Sequence, residues 1–129
     1  MTPEERGAAC QAYRRGLTES DLERVVALFA ADAVVRDPVD GQALTGLAAI
    51  RAYYDKARFA LLDMVPSGPA GVPEDGSSAA VPVRALVRRP GGQLVILDTI
   101  QVFEFAPDGK ITRFTSYYGS SNVRQVHTD

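Results

Sequence analysis

Apolar positions in the first part of the chain recur with the period of a helix. Thr2 and Glu5 have the spacing of a capping box, and Pro3 suits the first helical position. The sequence therefore predicts a first helix that runs to about Gly16. Its inward stripe consists of Ala9, Cys10, Tyr13 and Leu17.

Two further helices are predicted from the same periodicity. Ser20 and Glu23 repeat the capping-box spacing, and the apolar face that follows consists of Leu22, Val25, Val26 and Phe29. Thr45 is the expected N-cap of the third helix. The apolar face of that helix consists of Leu47, Ile50, Tyr54 and Ala57. Tyr13 and Tyr54 are therefore expected to be inward phenols, and a buried phenol usually needs a hydrogen-bond partner.

The second half of the chain has the alternation of strands. Turn sequences at 75–76, 90–92 and 107–109 separate apolar runs near 61–66, 78–89, 93–105 and 110–118. A further strand is expected from Ala33 to Pro38. The pattern predicts a single α+β domain over residues 1–129, in which three N-terminal helices pack on a curved, mostly antiparallel sheet and form a cone-shaped pocket.

Composition narrows the possible functions. The net charge is −2 and the isoelectric point is about 5.4, so no basic surplus is available for nucleic acid. One cysteine and one histidine do not make a typical zinc site, and neither a metal nor a cofactor is expected. The chain has no apolar run long enough to span a membrane and no signal-peptide pattern, so we expect a cytoplasmic protein.

Asp37 is the first candidate for chemistry. It shares one face of an extended segment with Ala33 and Val35, and Pro38 favours an extended backbone that ends in a bend. Desolvation beside apolar neighbours raises the pKa of a carboxyl, which suits a general base. The alternative is an ordinary turn aspartate before proline.

Gln101 is the second candidate. On the strand 93–105 one face carries Val95, Leu97, Thr99, Gln101 and Phe103, and both faces are largely apolar, so we expect both to be covered. A buried amide there must be satisfied by a partner, water or a ligand, or be bonded within the core. In the last strand Phe114, Ser116 and Tyr118 share a face that would line the same cavity.

Several segments carry a resemblance to a known family. They are residues 30–39 with 46–54, residues 97–101, and residues 116–119 with Asn122. Together with the spacing of Tyr13 from Asp37, they resemble Δ5-3-ketosteroid isomerase, within the nuclear-transport-factor-2-like and SnoaL-like fold group. The resemblance covers nearly the whole chain.

This resemblance implies a steroid delta-isomerase. Asp37 would move a proton between two carbons of an unsaturated ketone, and Tyr13 and Gln101 would donate hydrogen bonds to the dienolate oxygen. The implied substrate is an apolar, steroid-like or polyketide-like ketone, and the implied assembly is a homodimer. The residues expected to bind the substrate are Tyr54, Phe29, Val83, Phe103, Phe114, Ser116 and Tyr118.

Gln101 departs from the family, because it stands where ketosteroid isomerases have a protonated aspartic acid. A primary amide donates without titrating, but it is the weaker acid. Two alternatives therefore stay open. One is a SnoaL-like hydrolase or cyclase acting on a polyketide or polyether epoxide, for which we expect a wider cavity with a second acid. The other is a non-catalytic small-molecule binding domain.

Overall fold

The computed structural model describes residues 2–127. Within this range the helices are α1 (Pro3–Thr18), α2 (Leu22–Val26) and α3 (Leu47–Ala60), with a 3-10 turn at Ser120–Asn122. The strands are β1 (Phe29–Arg36), β2 (Leu44–Thr45), β3 (Leu61–Pro66), β4 (Ser78–Arg88), β5 (Leu94–Phe105), β6 (Ile111–Tyr117) and β7 (Val123–Gln125).

The strands form one sheet in the order β2-β1-β6-β5-β4-β3, and β7 adds to β5. All pairings are antiparallel except that of β1 with β6. The three helices pack on one face of this curved, open, mixed sheet. The predicted α+β architecture is therefore confirmed.

The core lies between the helices and the covered face of the sheet. The inward stripe predicted for α1 is buried at Cys10, Tyr13 and Leu17, and α3 buries Ile50 and Tyr54. These side chains meet the buried face of β4 and β5. The helical spacing of the apolar residues thus identified the faces that the tertiary structure covers.

The second helix is shorter than its apolar pattern predicted, and its cap is different. It ends at Val26, and Phe29 begins β1 instead of continuing the helix, because the backbone N–H of Ile111 binds the Leu28 carbonyl oxygen at 2.8 Å and draws the chain into the sheet. The N-cap is Asp21 rather than Ser20, since the Asp21 carboxylate accepts from the N–H of Arg24 at 3.2 Å.

Two other local expectations were wrong. Thr45 lies in β2, and Gly46 precedes α3 as its N-cap, with φ of 88° and no side-chain cap. The two faces of β5 are not equally covered, because Ile100 on the outer face is 51% exposed while Gln101 and Phe103 on the inner face are buried. The helices cover only one side of the sheet.

Among residues 2–127, no helix has both the length and the apolar character needed to cross a bilayer. The same residues contain no group of three or more acidic, cysteine or histidine side chains placed to hold a metal ion.

Candidate active site

A cavity of about 210 Å³ lies between α1, α3 and the inner face of the sheet. Its wall is mostly apolar, with Leu17, Leu61, Met64, Val87, Leu97 and several alanines. The polar side chains on this wall are Tyr13, Asp37, Tyr53, Tyr54, Thr99, Gln101, Ser116 and Tyr118. The cavity therefore suits a small apolar ligand held by a few directed polar contacts.

Asp37 follows the end of β1, and two hydrogen bonds determine where its carboxylate lies. The backbone N–H of Val39 donates to the Ser116 carbonyl oxygen at 2.8 Å, which ties the bend after Asp37 to β6. The Tyr53 hydroxyl donates to Asp37 Oδ2 at 2.8 Å. The carboxylate is thus fixed from the sheet side and from α3.

Burial raises the pKa of the Asp37 carboxyl above its ordinary value. Hydrogen bonds from Tyr53 and Ser116 act in the opposite direction, because they stabilise the ionised form, but desolvation is the larger effect. The carboxylate that results is a stronger base than a solvated aspartate. Proton transfer in a shielded site requires this property.

Tyr13 and Tyr54 form a pair of buried phenols. Their hydroxyl oxygens are 2.8 Å apart, and burial raises the pKa of both well above the ordinary value, so both stay protonated. Two hydroxyl groups have two protons, and the bond between them uses one. One O–H of the pair is therefore left to donate to a ligand oxygen in the cavity.

A second polar cluster lies on the sheet side of the cavity. The hydroxyls of Thr99 on β5 and Ser116 on β6 are hydrogen-bonded to each other, and the Tyr117 carbonyl oxygen lies 3.3 Å from the Thr99 hydroxyl. Both side chains are buried. The cluster connects the middle of the sheet to Asp37 through Ser116.

Gln101 is 2% exposed and lines the same cavity. Its Nε2 donates to the Met64 sulfur at 3.7 Å. Its Oε1 is buried and has no hydrogen-bond partner among the described residues. The amide is thus poorly satisfied by the protein itself.

Six of the ten site residues predicted from the sequence lie on the cavity wall: Tyr13, Asp37, Tyr54, Gln101, Ser116 and Tyr118. The other four, Phe29, Val83, Phe103 and Phe114, lie in the core behind the wall. Ring centroids of Phe114 and Phe103 are 4.8 Å and 5.4 Å from that of Tyr13, and that of Phe29 is 6.4 Å away. These aromatic side chains hold the Tyr13 ring in place.

Sequence analysis missed Tyr53, the residue that binds Asp37 directly. It is three residues after Ile50 on α3, a spacing that places both on neighbouring turns of one helix face. That spacing was available in the sequence, but the adjacent Tyr54 fitted the apolar stripe equally well. Met64 was also missed, since nothing in the sequence of an edge strand indicated that its sulfur would meet Gln101.

The alternative of an epoxide-opening enzyme called for a second acid in the cavity. Among the described residues, Asp37 is the only carboxylic acid that lines the cavity. The other groups there that could donate a proton are phenols, above all the Tyr13 and Tyr54 pair.

Residues 10–114 match the family model described as a SnoaL-like domain. The chain is 30% identical over 113 residues to the epoxide hydrolase LasB of Streptomyces lasalocidi. The matched region covers 83% of this chain but only 39% of LasB. The chain thus spans well under half the length of this relative.

Solved structures give the same fold. SalBIII, an epoxide hydrolase/cyclase-like enzyme with a role in pyran ring formation in the polyether salinomycin, is 27% identical with a TM-score of 0.89, and the match covers 95% of this chain and 97% of that one. A computationally designed 17-OHP binder is 20% identical with a TM-score of 0.85, and the match covers 98% and 100%. The likeness to the designed binder shows the fold alone.

The expected enzyme class, an isomerase, is wrong. LasB is named an epoxide hydrolase and SalBIII an epoxide hydrolase/cyclase-like enzyme, and neither is named a steroid isomerase. The expectation rested on the resemblance of several segments to ketosteroid isomerase and on the spacing of Tyr13 from Asp37. A shared fold does not by itself decide which bond is broken.

Proposed function

We propose that this chain, which belongs to the SnoaL-like domain family, opens the epoxide ring of an apolar, polyketide-like small molecule, as a hydrolase or cyclase. The observation that carries the proposal is the partly buried Asp37 carboxylate, the only carboxyl on the cavity wall among the described residues, which shares the cavity with protonated phenols. The names of LasB and SalBIII support the same chemistry.

In this proposal Asp37 is the general base. It takes the proton from an attacking water molecule or substrate hydroxyl while the oxygen of that group bonds to one epoxide carbon. The bond from that carbon to the epoxide oxygen breaks, and the electron pair moves onto this oxygen. The raised pKa of Asp37 makes it basic enough to assist this transfer.

The oxygen of the opened epoxide ring receives its proton from the phenol pair. Tyr13 and Tyr54 have one O–H beyond the bond between them, and their raised pKa values keep that proton in place until an alkoxide develops. A preorganised donor at the developing charge is the usual source of such stabilisation. The proton on Asp37 returns to the phenolate after the product forms, so the protein is restored.

Tyr53 positions the base. Its hydroxyl binds one carboxylate oxygen, Asp37 Oδ2, at 2.8 Å, which directs the other oxygen towards the nucleophile. Tyr118 and Ser116 complete the polar side of the wall. The apolar remainder of the wall binds the carbon skeleton of the substrate.

The proposed assembly is a homodimer formed through the outer face of the sheet. Ile100 and Tyr117 are paired across β5 and β6, and they are 51% and 48% exposed. Two adjacent apolar side chains in the middle of an open sheet face favour contact with another such face.

A panel of apolar disubstituted epoxides, with and without an internal hydroxyl, tests the activity. Diol and cyclic ether products are measured by gas chromatography for the parent chain, Asp37→Asn and Asp32→Asn. We expect the parent and the Asp32 variant, whose carboxyl is exposed on β1, to form product at equal rates. Asp37→Asn should be at least about 100-fold slower. Equal rates for the parent and Asp37→Asn on every epoxide would reject the proposal.

A further inference from the structure

We propose that Gln101 recognises a hydroxyl group of the bound substrate by accepting its hydrogen bond at Oε1. The inference rests on the proposed function only in taking the cavity as the substrate site. Gln101 lies in the middle of β5, 2% exposed, with Val81 and Ser116 as its cross-strand partners. Its Oε1 is buried without a hydrogen-bond partner among residues 2–127.

The contact with Met64 decides the orientation of the amide. Gln101 Nε2 donates to the Met64 sulfur at 3.7 Å. A thioether accepts a hydrogen bond weakly, and it has no proton to offer to a carbonyl oxygen. The reverse orientation would place Oε1 against the sulfur lone pairs. The amide oxygen is therefore an acceptor without a partner, and one N–H of Nε2 is left beyond the bond to sulfur. The family resemblance implied only the donor role.

The protein itself gains little from this amide. A buried acceptor without a partner destabilises the folded state, and the bond to sulfur is a weak compensation. Thr99, two residues earlier on the same face, is different because its hydroxyl is bonded to Ser116. The amide oxygen of Gln101 becomes satisfied when a ligand brings a donor.

The cavity thereby distinguishes the two oxygens of a substrate. The Tyr13 and Tyr54 pair offers an O–H to an oxygen that only accepts, as an epoxide does. Gln101 offers an acceptor to an oxygen that carries a proton, as a hydroxyl does. A molecule with both an epoxide and a hydroxyl group is therefore bound in one orientation. Gln101 is thus a specificity-determining residue.

Unfolding by urea tests whether the amide serves the fold or a ligand. Gln101→Met replaces it with an apolar side chain of similar length, and Thr99→Val is the matched control on the same strand. We expect Gln101→Met to raise the folding equilibrium constant about fivefold or more, because an unsatisfied polar group is removed. Thr99→Val should lower the constant, since Ser116 loses its partner. A lower constant for Gln101→Met would overturn the proposal.

Calorimetry with cyclooctanol, cyclooctanone and methoxycyclooctane tests the polarity of the site. Gln101→Met should weaken binding of the alcohol about tenfold, in line with the loss of one buried hydrogen bond, and should leave binding of the ether and ketone unchanged, because their oxygen only accepts and is met by the phenol pair. Unchanged binding of the alcohol, or equal weakening for all three ligands, would overturn the proposal. Neither measurement uses an epoxide, so failure of epoxide opening leaves both outcomes unchanged.

Discussion

Asp37 is subject to two opposing effects at the end of β1. Burial raises the pKa of its carboxyl, and the hydrogen bond from Tyr53 is the larger of the two contacts that lower it. The Asp37 carboxylate is thus more basic than a solvated aspartate, and the hydrogen bond from Tyr53 limits how far its pKa rises. The pKa of Asp37 therefore depends on the Tyr53 hydroxyl, which a change to phenylalanine removes while the ring stays.

Tyr53→Phe should move the acidic limb of the kcat/KM profile to higher pH. Without the hydroxyl on Oδ2, the ionised form of Asp37 loses a donor, so its pKa rises further and the base is protonated at pH values where the parent is active. The rate of epoxide opening measured across pH checks this. Tyr117→Phe, with a half-exposed ring on the outer face of the sheet, should leave the limb in place. An unshifted limb in Tyr53→Phe would remove Tyr53 from its positioning role.

Asp37→Asn should stabilise the folded protein at neutral pH but not in acid. Since the folded-state pKa is raised, the carboxyl contributes full stability below its ordinary pKa, and that stability is lost as pH rises through the raised value. Asparagine does not ionise and avoids the loss, by about 1.4 kcal/mol for each unit of the shift. Urea unfolding of both proteins at several pH values tests this. An advantage of the variant that is largest in acid would contradict it.

At the scale of elements, the approach of α1 to α2 depends on Gly16. A Cβ at this position would lie 2.7 Å from Val25 Cγ2, and Val25 is buried with a stiff, β-branched side chain. Gly16 lies inside α1, where alanine would otherwise favour the helix. The close packing of the two helices therefore opposes the helix propensity.

Gly16→Ala should lower the free energy of unfolding by about 1 to 2 kcal/mol, because the strain of overpacking exceeds the gain in helix propensity. Gly7→Ala is the matched control in the same helix, where an added Cβ meets nothing within 4 Å. That variant should be more stable than the parent by about 0.5 to 1 kcal/mol. Thermal and urea unfolding of both variants provide the measurement, and stabilisation by Gly16→Ala would show that α2 moves aside at no cost.

At the scale of the whole molecule, the sheet is covered on one face only. The proposed dimer depends on the outer face around Ile100 and Tyr117. Ile100→Lys places a charge there and should convert a dimer to a monomer, as measured by sedimentation velocity. Phe59→Lys is the control, since Phe59 is 73% exposed but lies on α3. If the parent sediments as a monomer, the outer face does not pair two copies.

The sequence by itself determined the elements whose evidence is local. The capping residues and stripe of α1, the stripe of α3 and the alternation in β4 and β5 are readable because periodicity along the chain reports which side will be buried. The same information placed Tyr13, Tyr54 and Gln101 on inward faces, and all three line the cavity.

Only the tertiary structure decided the contacts between distant segments. Phe29 lies in a strand because β6 pairs with that part of the chain, and a pattern confined to residues 22–29 does not contain β6. The Tyr53 bond to Asp37 depends on how α3 packs on the sheet, and the Met64 contact of Gln101 depends on how β3 pairs with β4. The physical reason is that side-chain periodicity fixes a face, whereas a hydrogen bond needs two atoms about 3 Å apart, which only the packed chain provides.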